Sequence, residues 1–381
     1  MGARPDPLLK AADASEFHSL FPGSTLQKAA DLLAAGERLG PSEGQLLMTT
    51  PDIAALGWLG GRARQNLHGL RTWFVINRHI NYSNVCGEIC LFCSFSRDTL
   101  EKSAAYEMTV DDVLRKAEEL TSLGARELHI VGGNHPSLPW DYYTSMIRRL
   151  HDAHPTVGIK AFTAVEIHHF SKRFGKSHRE VLTELMECGL SSLPGGGAEV
   201  FAPGIRNKIA RTKATAEEWL DVHRTAHALG LATNCTMLFG TVETPEDRID
   251  HLGRLRALQD ETGGFTCFIP LAYHHENNRL GRLPEPGSIE KLRMIAASRL
   301  YLDNIPHIKA YWVMFGVQLS ALAQKWGASD LDGTVVEEKI YHMAGASTPQ
   351  KMARERLEGL IRSEGFEPVE RDNVYREVPC A

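Results

Sequence analysis

Cys86, Cys90 and Cys93 fall within eight residues of the stretch NVCGEICLFCSFSRD, separated by spacers of three and then two. Three thiolates this close together point to metal or redox chemistry, and three readings compete. The C-x-x-C of Cys90 and Cys93 could act as a redox dithiol, a motif that usually opens a helix in a thioredoxin-like fold. A structural zinc ion wants four closed ligands, often as two pairs. Here only His79 stands nearby as a fourth candidate, and the chain has no second C-x-x-C. A [4Fe–4S] cluster is held by thiolates on its irons, and three of them leave one iron open for a small chelating ligand. The missing fourth cysteine favours this last reading. Cys188, Cys235, Cys267 and Cys380 lie in helix, strand and tail contexts and read as ordinary thiols.

The elements that must carry this loop show a clear rhythm. From about residue 72, short β-branched runs alternate with capped helical segments. The expected strands are 72–80, 127–133, 159–165, 190–196, 232–240, 265–272, 308–315 and a weaker 328–334. Between them, Thr109/Asp112, Ser177/Glu180 and Thr215/Glu218 mark helix starts, and Gly124, Gly189 and Gly230 mark ends. About eight alternations predict an α/β fold, a closed (β/α)8 TIM-type barrel, with a doubly wound open sheet as the other option. Residues 1–70 read as a helical lead-in packed on the barrel, with Ser24 as a cap and Ser42 and Gln45 as a capping box. Residues 71–335 are the expected barrel, and 336–381 a helical extension that caps it.

Barrel enzymes gather their working residues at the C-terminal ends of the strands. Polar and glycine clusters fall there, at Asn77–His79, Gly132–His135, Glu166, Gly195–Glu199, Gly240–Glu243 and His274–Asn277, a pattern that favours an enzyme. The net charge of −5 supplies no global field for nucleic acid or an anionic membrane, so an acidic substrate must be met by local basic groups. No window approaches a membrane span, and the N-terminus lacks a secretory pattern. With an odd number of cysteines, seven, a disulfide framework is not expected and the cytoplasm is the expected compartment.

C-x3-C-x2-C just after a first barrel strand resembles the radical S-adenosylmethionine (SAM) superfamily. The resemblance implies that Cys86, Cys90 and Cys93 hold one [4Fe–4S] cluster per chain and that SAM chelates the open iron. It places Phe92 near the adenine, and Gly132 and Gly133 where the family binds the methionine amino group, although Asn134 stands where the motif has Glu. Leu238, Gly240 and Glu243 fit the fifth-strand element, with Thr236 replacing its first glycine; Glu166 and Glu199 sit where SAM ribose or amino contacts occur.

Further stretches, among them HIVGGNHP, IKAFTAVEIHHF, SLPGGGAEVF, LQDETGGF and DLDGTVVEEKIYHMAGA, resemble the aminofutalosine synthase family of menaquinone biosynthesis over about residues 70–350. The related cyclic dehypoxanthinyl futalosine synthases are the alternative, but residues 77–79, 163–167 and 271–277 side with the synthase group. Thr241 and His275 depart from it, standing where His and Pro are usual. The resemblance implies addition of the 5′-deoxyadenosyl radical to 3-[(1-carboxyvinyl)oxy]benzoate. It also implies a flavodoxin or ferredoxin as reductant. A dianionic aromatic acid needs cationic or hydrogen-bonding partners, and Arg78, His79, His135, His274 and Asn277 are the strand-end candidates. His274 and His79 come first, as acid/base or carboxylate contacts.

Overall fold

The computed structural model describes residues 7–98, 104–121, 124–281 and 283–379; Cys380 lies outside them. The described strands are β1 (Arg71–Val75), β2 (Asn77–Ile80), β3 (Glu127–Ile130), β4 (Gly158–Ala161), β5 (Leu190–Ser192), β6 (Thr233–Phe239), β7 (Phe265–Ala272), β8 (His307–Ile308), β9 (Asp330–Gly333) and β10 (Glu367–Glu370). The single run expected over 72–80 is therefore two strands. It breaks at Ile76 because the chain changes partners there: β1 pairs in parallel with β9, and β2 with β3.

The partner change closes the ring. β2-β3-β4-β5 form one parallel sheet and β6-β7-β8 another. Single parallel bridges, Leu193 to Thr233 and Lys309 to Asp330, join the seams. With β1 and β2 sharing one place, the ring is the expected (β/α)8 barrel. β2 and β6 are buried along their whole length, as parallel strands must be when helices cover the outside. Those helices start where side chains can cap them. Thr163, Ser177, Thr215 and Thr244 each accept the backbone N–H three residues on, while Glu166, Glu180, Glu218 and Asp247 reach back.

Several expected strands end before their apolar runs do, among them 127–133 and 159–165, and β5 and β8 are cut shortest. After β5 the backbone at Gly195 runs against β6, where a Cβ would lie 2.7 Å from the Asn234 carbonyl carbon. After β8 the chain turns helical at Trp312–Phe315, and the Trp312 indole donates to the Gly333 carbonyl at 2.9 Å. In the lead-in, the third helix starts two residues earlier than expected, capped at Gly40 rather than Ser42. Pro41 fills its first position, and Glu43, not Gln45, reaches back to the Gly40 N–H. Buried Arg64, on the helix Ile53–His68, ties this region to the barrel by donating to the carbonyls of Gly69, Arg71 and Ala328 and to Thr72 Oγ1.

The C-terminal segment is not all helical, and it covers both ends of the barrel. Residues 338–344 face the C-terminal mouth, where Glu338 and Tyr341 line the cavity. After the helix Arg354–Ser363, β10 pairs in parallel with β1 at the opposite end, with Arg71 opposite Glu367 and Phe74 opposite Glu370. Asn373 then occupies the space a side chain at position 158 would need, since a Cβ on Gly158 would come within 1.9 Å of its Oδ1.

Candidate active site

The cysteine loop after β2 belongs to no helix or strand and is held by backbone bonds. Cys86 N–H donates to Arg97 O at 2.7 Å, Gly87 N–H to Asn134 O at 3.0 Å, and Leu91 N–H to Ile209 O at 2.8 Å. Two further N–H groups are aimed at sulfur, Asn134 N to Cys86 Sγ at 3.3 Å and Ser96 N to Cys93 Sγ at 3.4 Å. Such donors suit thiolates rather than thiols, because a hydrogen bond to the charged form favours it. Gly133 lets the wall come this close, since a Cβ there would lie 2.2 Å from Val85 O and 2.8 Å from Cys86 Cβ. As free thiols, Cys86 and Cys90 are pushed up by burial, Cys90 to about 12. All three cysteines line one cavity of about 290 Å³ at the C-terminal mouth of the barrel. Among the described residues, no three His, Cys, Asp or Glu side chains converge tightly enough for a single metal ion.

The cavity takes in seven of the other expected residues. Phe92, Gly132, Gly133, Glu199, Leu238, His79 and His274 line it. Glu199 has φ +52° and is paired with Lys213 Nζ at 2.6 Å; that ammonium also lies 5.6 Å from the Phe92 ring. His274 Nε2 lies 3.2 Å from Met314 O, and its Nδ1 lies 3.5 Å from Glu285 Oε1; burial lowers its pKa despite that carboxylate. His79 is almost fully buried, and burial, with His129 beside it, lowers it to about 3, leaving a neutral imidazole.

Four expected residues lie off the cavity. Arg78 points out of the barrel, because side chains alternate along β2 and its neighbour His79 points in. Its guanidinium pairs with Glu119 at 2.7 Å and Glu337 at 2.9 Å. His135 lies 2.8 Å from Glu107, and its Nδ1 accepts the N–H groups of Ser137 and Leu138. Glu166 is the reach-back residue of a capping box and also accepts from Tyr82 Oη at 2.9 Å and Gly132 N at 3.1 Å, so it braces the glycine wall from behind. Gly240 makes a turn at φ +87° against Pro286, and its N–H donates to Glu243.

The residues that sequence reasoning passed over stand deeper, on the strands or just past them. His129, Lys160, Lys309, Tyr311 and Asp332 line the same cavity. Their signal was present twice, as a lysine between apolar residues in IKAFTA and IKAYWV. A lysine inside a buried strand is rare unless it is paired.

Residues 80–255 match the radical SAM superfamily, and residues 262–381 match the CofH/MqnC C-terminal region. The chain is 46% identical over 353 residues to aminodeoxyfutalosine synthase of Thermus thermophilus, covering 92% of this chain and 95% of that protein. The chain belongs to the radical SAM superfamily. That radical SAM assignment implies a [4Fe–4S] cluster and SAM. A second aminodeoxyfutalosine synthase, from Streptomyces coelicolor, is 47% identical over 352 residues, covering 90% of this chain and 91% of that protein. The cyclic dehypoxanthine futalosine synthase of the same organism is 35% identical, covering 93% and 89%. Among solved structures, the FeFe-hydrogenase maturase HydG from Carboxydothermus hydrogenoformans shares the fold at a TM-score of 0.71 and 16% identity, covering 95% of this chain and 81% of that one. As a radical SAM fold, the barrel places its cysteine loop at the mouth. No helix among the described residues is long and apolar enough to cross a membrane.

Proposed function

We propose that the chain is an aminodeoxyfutalosine synthase. It joins the 5′-deoxyadenosyl group of SAM to the enol-ether carbon of 3-[(1-carboxyvinyl)oxy]benzoate and yields 6-amino-6-deoxyfutalosine, methionine and bicarbonate or CO2. The observation that carries this reading is the identity to two such synthases over nine-tenths of the chain, above that to the cyclic enzyme.

Cys86, Cys90 and Cys93 would hold the cluster, one per chain. When bound and reduced, it supplies the electron that opens the SAM sulfonium bond. The chain's own residues position and shield. Phe92, Gly132, Gly133 and Glu199 form the wall beside the cysteine loop and are the proposed SAM contacts. His79, on β2, and His274, just past β7, line the same cavity and are the proposed contacts to substrate. Residues 338–344 cover the mouth and restrict the access of water, which would otherwise compete for a reactive radical. The electron comes from a reduced flavodoxin or ferredoxin, and the compartment is the cytoplasm.

The test is anaerobic reconstitution with iron and sulfide, reduction, and incubation with SAM and the enol-ether benzoate. Mass spectrometry should find one adduct that contains both adenosyl and aryl groups. Formation of free 5′-deoxyadenosine with no adduct would sink the proposal.

A further inference from the structure

Below the cysteine loop, the cavity is walled by strand side chains. The pairing register sets His79 of β2, His129 of β3 and Lys160 of β4 side by side in one row. The two imidazoles stack at 4.4 Å and 12°. Across from them stand Lys309, just past β8, and Asp332 of β9, with Nζ and Oδ2 3.0 Å apart. The Tyr311 ring lies 6.3 Å from His79, nearly parallel to it, and Ile269 and Leu271 make the adjoining wall apolar.

Two polar atoms in this wall are unspent. His79 Nε2 and Tyr311 Oη are buried and have no hydrogen-bond partner among the described residues; the residues are 7% and 6% exposed. Leaving such a group unpaired is unfavourable, and a ligand that accepts from both would relieve it. Among the described residues, Lys160 Nζ donates to Glu127 at 2.7 Å and Lys309 Nζ to Asp332, with Asp330 Oδ1 3.7 Å from Lys309. Each ammonium has three donors and so keeps N–H groups to spare. The charges beneath are already matched: Glu127, Asp330 and Asp332 against Lys160, Lys309 and Arg371. The surplus is therefore one of donors, four of them around an apolar and aromatic wall.

We propose that this floor is an aryl-carboxylate subsite. The ring carboxylate of the substrate rests between Lys160 and Lys309 and accepts from Tyr311 Oη and His79 Nε2, and the enol-ether end turns up toward the cysteine loop. The choice of ligand rests on the synthase reading; the preference for an aromatic carboxylate rests on the floor itself. That separates the two tests.

The probes are 3-methoxybenzoate and its uncharged isostere 3-methoxybenzamide, titrated calorimetrically into the reconstituted full chain with SAM present. The carboxylate should bind at least about tenfold more tightly than the amide, as expected for hydrogen bonds to a charged group. Y311F removes one hydroxyl and should narrow the gap to roughly threefold, with iron content and bound SAM unchanged. K160M should close the gap. Equal binding of both probes overturns the subsite, as does no detectable binding of the benzoate. A preference that survives in both Y311F and K160M also overturns it. If the preference behaves as expected but the enol ether gives no adenosyl adduct, the synthase reading falls and the subsite stands. An adduct without the preference does the reverse.

Discussion

At the mouth of the barrel, Cys86, Cys90 and Cys93 hang on a loop fixed by backbone bonds, and the Cys86 and Cys93 sulfurs each accept from a backbone N–H. At the opposite end, ionised side chains are carried on strands and meet one another. Arg371 Nε lies 2.6 Å from Asp330, its Nη1 lies 3.6 Å from Glu127, and its guanidinium sits 4.1 Å from the Tyr375 ring. Both regions are buried and polar. The difference is in what the polar groups meet: at the base, charges pair with one another, and at the mouth, backbone N–H groups face sulfur. Polar burial at the base is therefore a stability feature and at the mouth a functional one.

Two substitutions should pull these apart. Cys90→Ala should abolish adduct formation and strip the cluster iron, read by iron analysis and by visible absorbance. The unfolding free energy of the metal-free protein should move by less than about 1 kcal/mol. Arg371→Met should do the opposite: removing one partner from a buried charge group costs about 3–5 kcal/mol, measured by urea unfolding, while the iron content of the folded fraction stays unchanged. A mild effect of Arg371→Met would mean that the base is not held by charge, and the contrast would fail.

Between the two regions lies the brace behind the glycine wall. Tyr82→Phe removes one of the donors to buried Glu166 and should cost about 1–2 kcal/mol in the same unfolding measurement. The smallest effect is expected where the segment over the mouth is pinned. His342 Nδ1 lies 3.4 Å from Glu338 Oε2, and that interaction outweighs burial and raises the imidazole from 6.5 to about 8. A raised folded-state value stabilises fully below pH 6.5 and is lost as pH rises through 8. His342→Gln should flatten the stability–pH curve between those values, by about 1 kcal/mol for a single ion pair at the cavity rim.

Much of this was legible in the chain. The three-cysteine spacing and the strand–helix rhythm led to the barrel and to the loop at its mouth. What strand-end position could not tell is which face a side chain takes. His79 and Arg78 are neighbours, yet one faces the cavity and the other pairs with Glu119 and Glu337 outside. Glu166 carried a competing signal, since Thr163 three residues before it spells a capping box, and local hydrogen bonding claimed the carboxylate. Lys160 and Lys309 were hidden because a strand interior is searched for apolar residues, and only closure of the ring brings them to one cavity. The base was not legible at all. The run 367–370 has no alternation that marks it as a partner for β1, and Arg371 reaches Asp330 across 41 positions of sequence.

That last contact has a consequence for how the molecule is made. Residues 367–373 are translated after all the strands of the ring. Until they emerge, Glu127 and Asp330 have no Arg371 opposite them, and the gap beside Gly158 has no Asn373 to fill it. A nascent barrel stalled before this point would carry its cysteine loop above an open, uncompensated base. The order of synthesis thus makes a finished base a late event in the life of the chain.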